Sequence, residues 1–405
     1  MSEAHGVVMR GPPPGSTDVL SLIVGNQSLT GWQRVAVTRP LAAIPASFQI
    51  ETTERYPNAP TIDLEAGQPC TVKIGSDLVL TGYVDRYASS IAKGNHTVRI
   101  EGRSKSCDLV DCSALVENTS AGSPSTPGMQ VLNGDAVSIA QRLAAKYNVT
   151  IATNAEGPFQ AIPQLNINLG ETVWQIIDRI TRYSELLAYD MPDGSVMLAR
   201  VGTQSMASGF TLGENIEAAD IMMSMDQRYS EYEGHLMSVM ALGTDAGINT
   251  PTVGQIVRDD EVPRFRKLYI VSEQTINGQP IAGQRAIWEK NRRWGQSFAF
   301  SVRCDSWRDA AGKLWAPNML APVNAQQLKV DPNKSWLIGT VTYTRDESGQ
   351  HAHLGLWPKE AFTVEPDSPN YFITQEAVNR NNPTSPNADS NTTGGNPPAR
   401  TVPQV

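Results

Sequence analysis

From about residue 17 to residue 103 the chain reads as strand after strand, and this run constrains the fold more than any other feature. Val35/Val37, Phe48/Ile50, Val72/Ile74 and Leu78/Leu80 each stand two apart, so each pair falls on one face of a strand. Turn signals such as "IGSD" and "KGNH" separate the runs. Short antiparallel strands that each carry one apolar face must curl over a core, as a barrel or a sandwich. The pattern changes after Ser113. "SAGSPSTPG" (120–128) has the composition of a linker. Two related segments follow, 134–151 and 170–189, with Gly134/Gly170, Val137/Val173, Ala140/Ile176, Ala144/Ile180 and Tyr147/Tyr183 in register. Each reads as a helix with an acid at its N-terminus (Asp135, Glu171) and then a strand. "MPDGSVMLAR" adds a hairpin around Asp193-Gly194.

Strand patterns return from 201 to about 364, with one helix expected at 281–294, where Ile281/Trp288 and Ile287/Trp294 repeat at seven. After Glu365 the chain is rich in Asn, Pro, Ser, Thr and Gly, and is expected to be disordered apart from a short segment, "NYFITQEAV", that could dock. The expected class is therefore α+β, mainly β. The divisions are a flexible arm (1–16), a β-rich domain (17–115), a small α+β insert (116–200), a second β-rich domain (201–365) and a flexible tail (366–405).

Composition limits the functions open to such a chain. With 405 residues, 40% hydrophobic and 18% charged, it can bury ample core. A net charge of −8 with no basic face argues against a duplex-binding protein. The N-terminus "MSEAHGVVMRGPPPG" lacks a basic region followed by an apolar run, and no window approaches a membrane span. Synthesis in a cytoplasm without membrane insertion is the expectation. Four unpatterned cysteines fit a reducing compartment.

The stretch "VRIEGRSKSCDLVDCS" (98–113) holds Cys107 and Cys112 among charges, as a metal or redox centre would. Geometry opposes this. A separation of five turns a helix by about 500°, leaving the thiols about 140° apart, and an odd separation puts them on opposite faces of a strand. Cys70 and Cys304 stand alone. The structural reading is a strand followed by a short helical turn with Cys107, Val110 and Ala114 inward. Asp108 and Asp111 then lie outward, within reach of Arg103 or Lys105. His351 and His353 share a strand face but lack a third ligand nearby. Asp226, Glu231, Glu233 and His235 cluster in "DQRYSEYEGH", and paired carboxylates can cleave glycosides. One local cluster does not establish the separation such chemistry needs. Asp305, Arg308 and Asp309 in "CDSWRD" read as a loop with an ion pair. The basic helix with Trp288 and Trp294 reads as a subunit contact or a solvated face. No Walker, dinucleotide, zincin or nucleophile-elbow motif occurs, so no catalytic residue, metal or cofactor is assigned.

Several long, collinear stretches carry a family resemblance. They are "LTGWQRVAVTRPLAAIPASFQIETTERYP" (29–57), "GQPCTVKIGSDLVLTGYVDRY" (67–87), "VRIEGRSKSCDLVDCSA" (98–114), "GETVWQIIDRITR" (170–182), "FTLGENI" (210–216), "RYSEYEGHLMSVMA" (228–241), "VPRFRKLYIVSE" (262–273) and "DSWRDAAGKLWAPNMLAPV" (305–323). Over residues 20–365 the chain resembles the phage Mu-type baseplate hub family, also called gpP or late control protein D. Relatives of that family are the T-even phage hub and the N-terminal half of type VI secretion spike proteins. The resemblance implies two tail-tube-like β-barrels per chain and a homotrimeric, pseudo-sixfold ring in the virion. Such a ring adapts a hexameric tail tube to a trimeric central spike, contacts baseplate wedge proteins and passes genomic DNA, for which a net acidic lumen is expected. Trp32, Arg39, Gly82, Asp85, Arg103, Asp108 and Asp111 are the positions expected to shape the first barrel. The alternative is a tail-associated carbohydrate-binding or cell-wall-degrading protein, the latter using Asp226, Glu231 and Glu233.

Overall fold

In the computed structural model, residues 18–52, 64–93, 95–115, 130–237, 252–273, 281–332 and 334–367 are described. The expected arm, the 120–128 linker and the tail from Ser368 onward, with "NYFITQEAV", lie outside them. Seven strands form the first half-barrel: β1 (Leu20–Val24), β2 (Gln27–Leu29), β3 (Arg34–Pro40), β4 (Ser47–Thr52), β5 (Pro69–Ile74), β6 (Asp77–Ala92) and β7 (Asn95–Ser104). Their spatial order is β3-β4-β7-β6-β5-β1-β2, all antiparallel. Val35, Val37, Phe48, Ile50, Val72 and Ile74 all point into the core, as alternation requires. The pair Leu78/Leu80 departs from this. A bulge between Val72 and Lys73 on the β5–β6 ladder shifts the pleat, so Val79 and Leu80 are both buried while Leu78 is only half-buried.

The chain then makes a single turn of helix, α1 (Cys107–Asp111). Cys107 is buried as expected, but Leu109 is the deeper anchor, and Val110 and Ala114 are only partly buried. The insert that follows contains β8 (Gln130–Asp135), α2 (Ala136–Ala144), β9 (Ile151–Thr153), β10 (Ala161–Asn166), α3 (Val173–Arg182), β11 (Leu187–Asp190) and β12 (Val196–Ala199). Both full helices start from a capping box: Asp135 with Ser138, and Thr172 with Gln175. Ile139, Ala140, Leu143, Ile176, Ile177 and Ile180 form its separate core.

The second half-barrel uses β13 (Gln204–Ser205), β14 (Phe210–Thr211) and β15 (Ile216–Met223). After β15 the chain leaves the barrel for a three-stranded sheet, β16 (Glu231–Met237), β17 (Thr252–Arg258) and β18 (Lys267–Glu273), covered by α4 (Ile281–Gln296). It re-enters as β19 (Phe298–Cys304), β20 (Met319–Asn324), β21 (Ser335–Asp346) and β22 (Gly349–Trp357). Ser224 N–H donates to the Ser297 carbonyl at 2.9 Å, closing the neck of this excursion. The expected second β-rich domain (201–365) thus does not keep 224–297 in its barrel. Strand periodicity reports that a segment is β and not which sheet it joins.

The two half-barrels repeat one strand order. β3-β4-β7-β6-β5 in the first corresponds to β15-β19-β22-β21-β20 in the second. Even the bulges coincide: Asp85 is the extra residue of β6 against β7, and Gly339 is the extra residue of β21 against β22. The copies join edge to edge, because β21 pairs antiparallel with β3 from Thr340↔Pro40 to Arg345↔Val35. One sheet therefore runs through both over a largely shared core.

Glycines mark the closest approaches. A Cβ on Gly82 would lie 1.9 Å from the Arg103 carbonyl oxygen, and one on Gly339 would lie 2.3 Å from the Phe362 ring. Gly82→Ala forces β6 off β7, and the expected loss is about 3 kcal/mol. Urea unfolding measures it; an unchanged midpoint would mean that the ladder yields there at no cost.

Candidate functional site: the junction of the half-barrels

The β21–β3 ladder is the centre of the molecule. β21 changes partners along its length: Ser335–Leu337 pair with β20, and Thr340–Arg345 pair with β3. The switch falls at Gly339, whose carbonyl accepts from Leu41 N–H at 2.8 Å. Thr38 and Thr342 face each other across the ladder with hydroxyls 3.0 Å apart. On the core side Tyr343 is fully buried and donates its hydroxyl to the Trp315 carbonyl. Burial holds its phenol above the usual range, and the neighbouring Arg39 only partly offsets this. Trp307, also fully buried, donates Nε1–H to the His351 carbonyl at 2.8 Å.

Charged groups lock this joint. Arg308 reaches from the second half-barrel to Asp18 (2.7 Å) and Asp77 (2.6 Å) in the first, and donates to the Ile74 carbonyl at 3.3 Å. This pairing was outside the local loop expected for "CDSWRD", because both partners lie more than 200 residues away in sequence. Asp309 instead holds its own loop, accepting from the backbone N–H of Ala311 and Lys313. The insert is tied down by Asp190, which accepts from Ala46 N–H and Ser104 Oγ–H at 2.5 Å each. Burial raises the Asp190 carboxyl above its ordinary range, and those hydrogen bonds pull it back only in part. Leu41, Tyr189, Ala199 and Leu337 pack together where the insert meets both half-barrels.

The positions singled out from the family motifs distribute as follows. Arg39 is buried on β3 at the junction. Asp85, Arg103 and Asp111 form one network, with Arg103 bonded to Asp85 at 2.6 Å and to Asp111 at 2.8 Å. These contacts hold the guanidinium pKa above its usual value. Gly82 lies beside the Arg103 carbonyl. Trp32 donates Nε1–H to the Leu20 carbonyl at 3.0 Å, at the far end of the first half-barrel. Asp108 is not joined to the Arg103 network; it lies 3.9 Å from Cys107 Sγ.

The groups weighed for chemistry are engaged in structure. Glu233 accepts from Lys267, which holds its carboxyl below the usual range. Asp226 is held low by the Ser224 hydroxyl. A glycosidase acid needs the opposite shift. His351 sits 2.7 Å from Glu217, and His353 is pushed down by burial and by His351. Among the described residues no group of three or more His, Cys, Asp or Glu is placed to hold a metal. Helix α4 covers its sheet through Ile281, Ala282 and Ala286, and its three arginines are used internally. Arg285 and Arg292 bond the segment after β22, and Arg293 pairs with Glu289 at 2.7 Å. A buried pair of Arg228 with Asp259, 2.8 Å apart, anchors the same sheet.

Comparison with known proteins matches three segments to described families. Residues 19–104 match the Mu phage baseplate assembly protein GpP-like N-terminal domain. Residues 106–200 match the second domain of baseplate hub protein gp44-like proteins. Residues 279–365 match the fourth domain of Mu phage baseplate assembly protein GpP. The baseplate hub protein gp44 of Escherichia phage Mu is 26% identical over 357 residues, covering 87% of this chain and 91% of that one. The 43 kDa tail protein of prophage MuSo2 from Shewanella oneidensis superposes with a TM-score of 0.72 at 27% identity, over 86% of this chain and 100% of that one. The E. coli c3393 protein, a type VI secretion component, shares the fold at a TM-score of 0.55 and 11% identity, over 85% of this chain and 79% of that one.

Two outcomes follow from this geometry. Burial pushes the Cys70 and Cys107 thiols up to about 12 and Cys304 to about 11, whereas Cys112 is partly exposed. Alkylation at pH 8 read by mass spectrometry should label Cys112 rapidly in the folded chain and all four thiols after unfolding. Fast native labelling of Cys107 would reopen a reactive role for the 98–113 stretch. Arg308→Ala leaves Asp18 buried without its cation and should cost about 2–3 kcal/mol, less than the ~3–5 of a fully buried pair because Asp77 is half-exposed. Thermal unfolding measures it.

Proposed function

We propose that this chain, which belongs to the Mu-type phage baseplate hub family, assembles as a homotrimeric ring within the tail baseplate. The observation that supports this most directly is the internal duplication. One chain carries two half-barrels of the same strand order, already joined edge to edge as neighbours in a ring would be. Three such chains supply six half-barrels, matching a hexameric tail tube on one side and a trimeric central spike on the other. Repetition of a contact that joins unlike surfaces closes a ring when its rotation divides the circle. Wedge proteins would bind the outside, and genomic DNA would pass through the lumen without being retained, consistent with a net charge of −8. The role is structural: what supports it is a joint built from a β-ladder, buried tryptophans and the Arg308 ion pairs.

Light scattering after size exclusion, with negative-stain images of the peak, tests this reading. The expected species has three times the 44.0 kDa chain mass and a central hole. A monomer at every concentration, alone and with its spike co-expressed, would refute it. Strong, salt-sensitive retention of duplex DNA would count against an acidic lumen.

A further inference from the structure

The second half-barrel carries a cavity of about 330 Å³ that the described residues leave open. It lies between β15, the end of α4, the start of β21 and the Lys359–Phe362 turn. Met223, Trp294, Phe298 and Trp336 are among its apolar walls. Lys329, Lys334 and Lys359 line it together with Asp331 and Glu360, so three cations stand against two carboxylates and one positive charge is left over. We propose that this cavity binds an acidic peptide segment of another protein, anchored by one aromatic side chain with a carboxylate beside it. The site is independent of the ring described above.

Size and walls select the anchor. Cavities for whole small ligands run from about 300 to 1,000 Å³, so this one is at the lower end and suits one large side chain with its nearest neighbours. A single aromatic seated in such a pocket can carry much of the binding free energy of a longer segment. Trp294 and Phe298 meet edge to face at 5.4 Å, and Phe298 and Trp336 do so at 6.3 Å. A further ring extends that series in the geometry aromatic pairs prefer. Trp336 is 5% exposed, and its Nε1–H is a buried donor without an acceptor among the described residues. A donor left so carries a cost that only an acceptor removes, and a carboxylate or peptide carbonyl is such a group.

Charge selects what flanks the anchor. Lys334 lies over the Trp294 ring, 5.7 Å from its centroid. Lys329 and Lys359 are exposed and take part in no ion pair among the described residues. Ammonium groups beside an apolar cavity favour a segment whose aromatic has an acid next to it. The same charges argue against a second copy of this chain as the occupant. Among the described residues its exposed aromatic side chains are Phe265 and Tyr269. Phe265 stands between Arg264 and Arg266, and Lys267 lies over the Tyr269 ring at 5.3 Å. Either would bring a cation to a site that is already positive.

Titration calorimetry on the full chain tests this with defined probes. They are the acetylated and amidated peptide Ser-Glu-Trp-Glu-Ser, its counterpart with Lys for both Glu, and its counterpart with Ala for Trp. The first alone should bind, and more weakly as salt is raised. Lys329→Glu combined with Lys359→Glu, both at exposed positions, should leave the melting temperature unchanged and weaken that binding about tenfold, the worth of one charge-assisted hydrogen bond. No heat from the first peptide, equal heats from all of them, or binding that the two substitutions leave untouched would overturn the proposal. A lower solution mass for the doubly substituted chain would show that a second copy fills the cavity, and would overturn the assignment to another protein.

Discussion

The ladder between β3 and β21 is the interaction on which the rest of the structure depends. Each of its hydrogen bonds contributes on the order of 1 kcal/mol net, and the larger effect is geometric. It makes one sheet of two and fixes the orientation of one half-barrel relative to the other. Because β21 gives its first residues to β20 and its later ones to β3, closure of the second half-barrel and its attachment to the first are properties of one strand. The bulge at Gly339 is where that change of partner becomes possible, and the Phe362 and Trp357 rings leave no room there for a side chain.

Buried polar groups specify how the modules meet. Arg308 bridges to Asp18 and Asp77, Asp190 collects donors from Ala46 before β4 and Ser104 at the end of β7, and Arg103 ties the β6 bulge to α1 through Asp85 and Asp111. Such groups add little net stability, because desolvation offsets most of the attraction. Their value is directional. An apolar contact tolerates sliding, whereas a guanidinium held between two carboxylates accepts one arrangement. The three apolar cores supply most of the driving force, and these contacts select one mutual orientation.

Two excursions leave the barrels. The α+β insert follows β7, and the β16–β18 sheet with α4 leaves between β15 and β19, closed at its neck by Ser224 and Ser297. Both excursions enlarge the chain while the duplicated strands keep their pairing.

Much of this was legible in the sequence. Alternation at Val35/Val37, Phe48/Ile50 and Val72/Ile74 determined which residues face the core, since the pleat has a period of two wherever no bulge intervenes. Helices α2, α3 and α4 were legible from their periodicity. Long collinear motifs pointed to the hub family. What only the tertiary structure decided is non-local. Nothing near Arg308 foretells Asp18 or Asp77, and nothing near Asp190 foretells Ser104. Nor does periodicity reveal that 224–297 leaves the barrel or that β3 and β21 are neighbours. Local pattern fixes the face of a strand because adjacent residues share one backbone. The partner of a strand is set by which edges meet after the chain has closed on itself, and no local run of residues encodes that meeting.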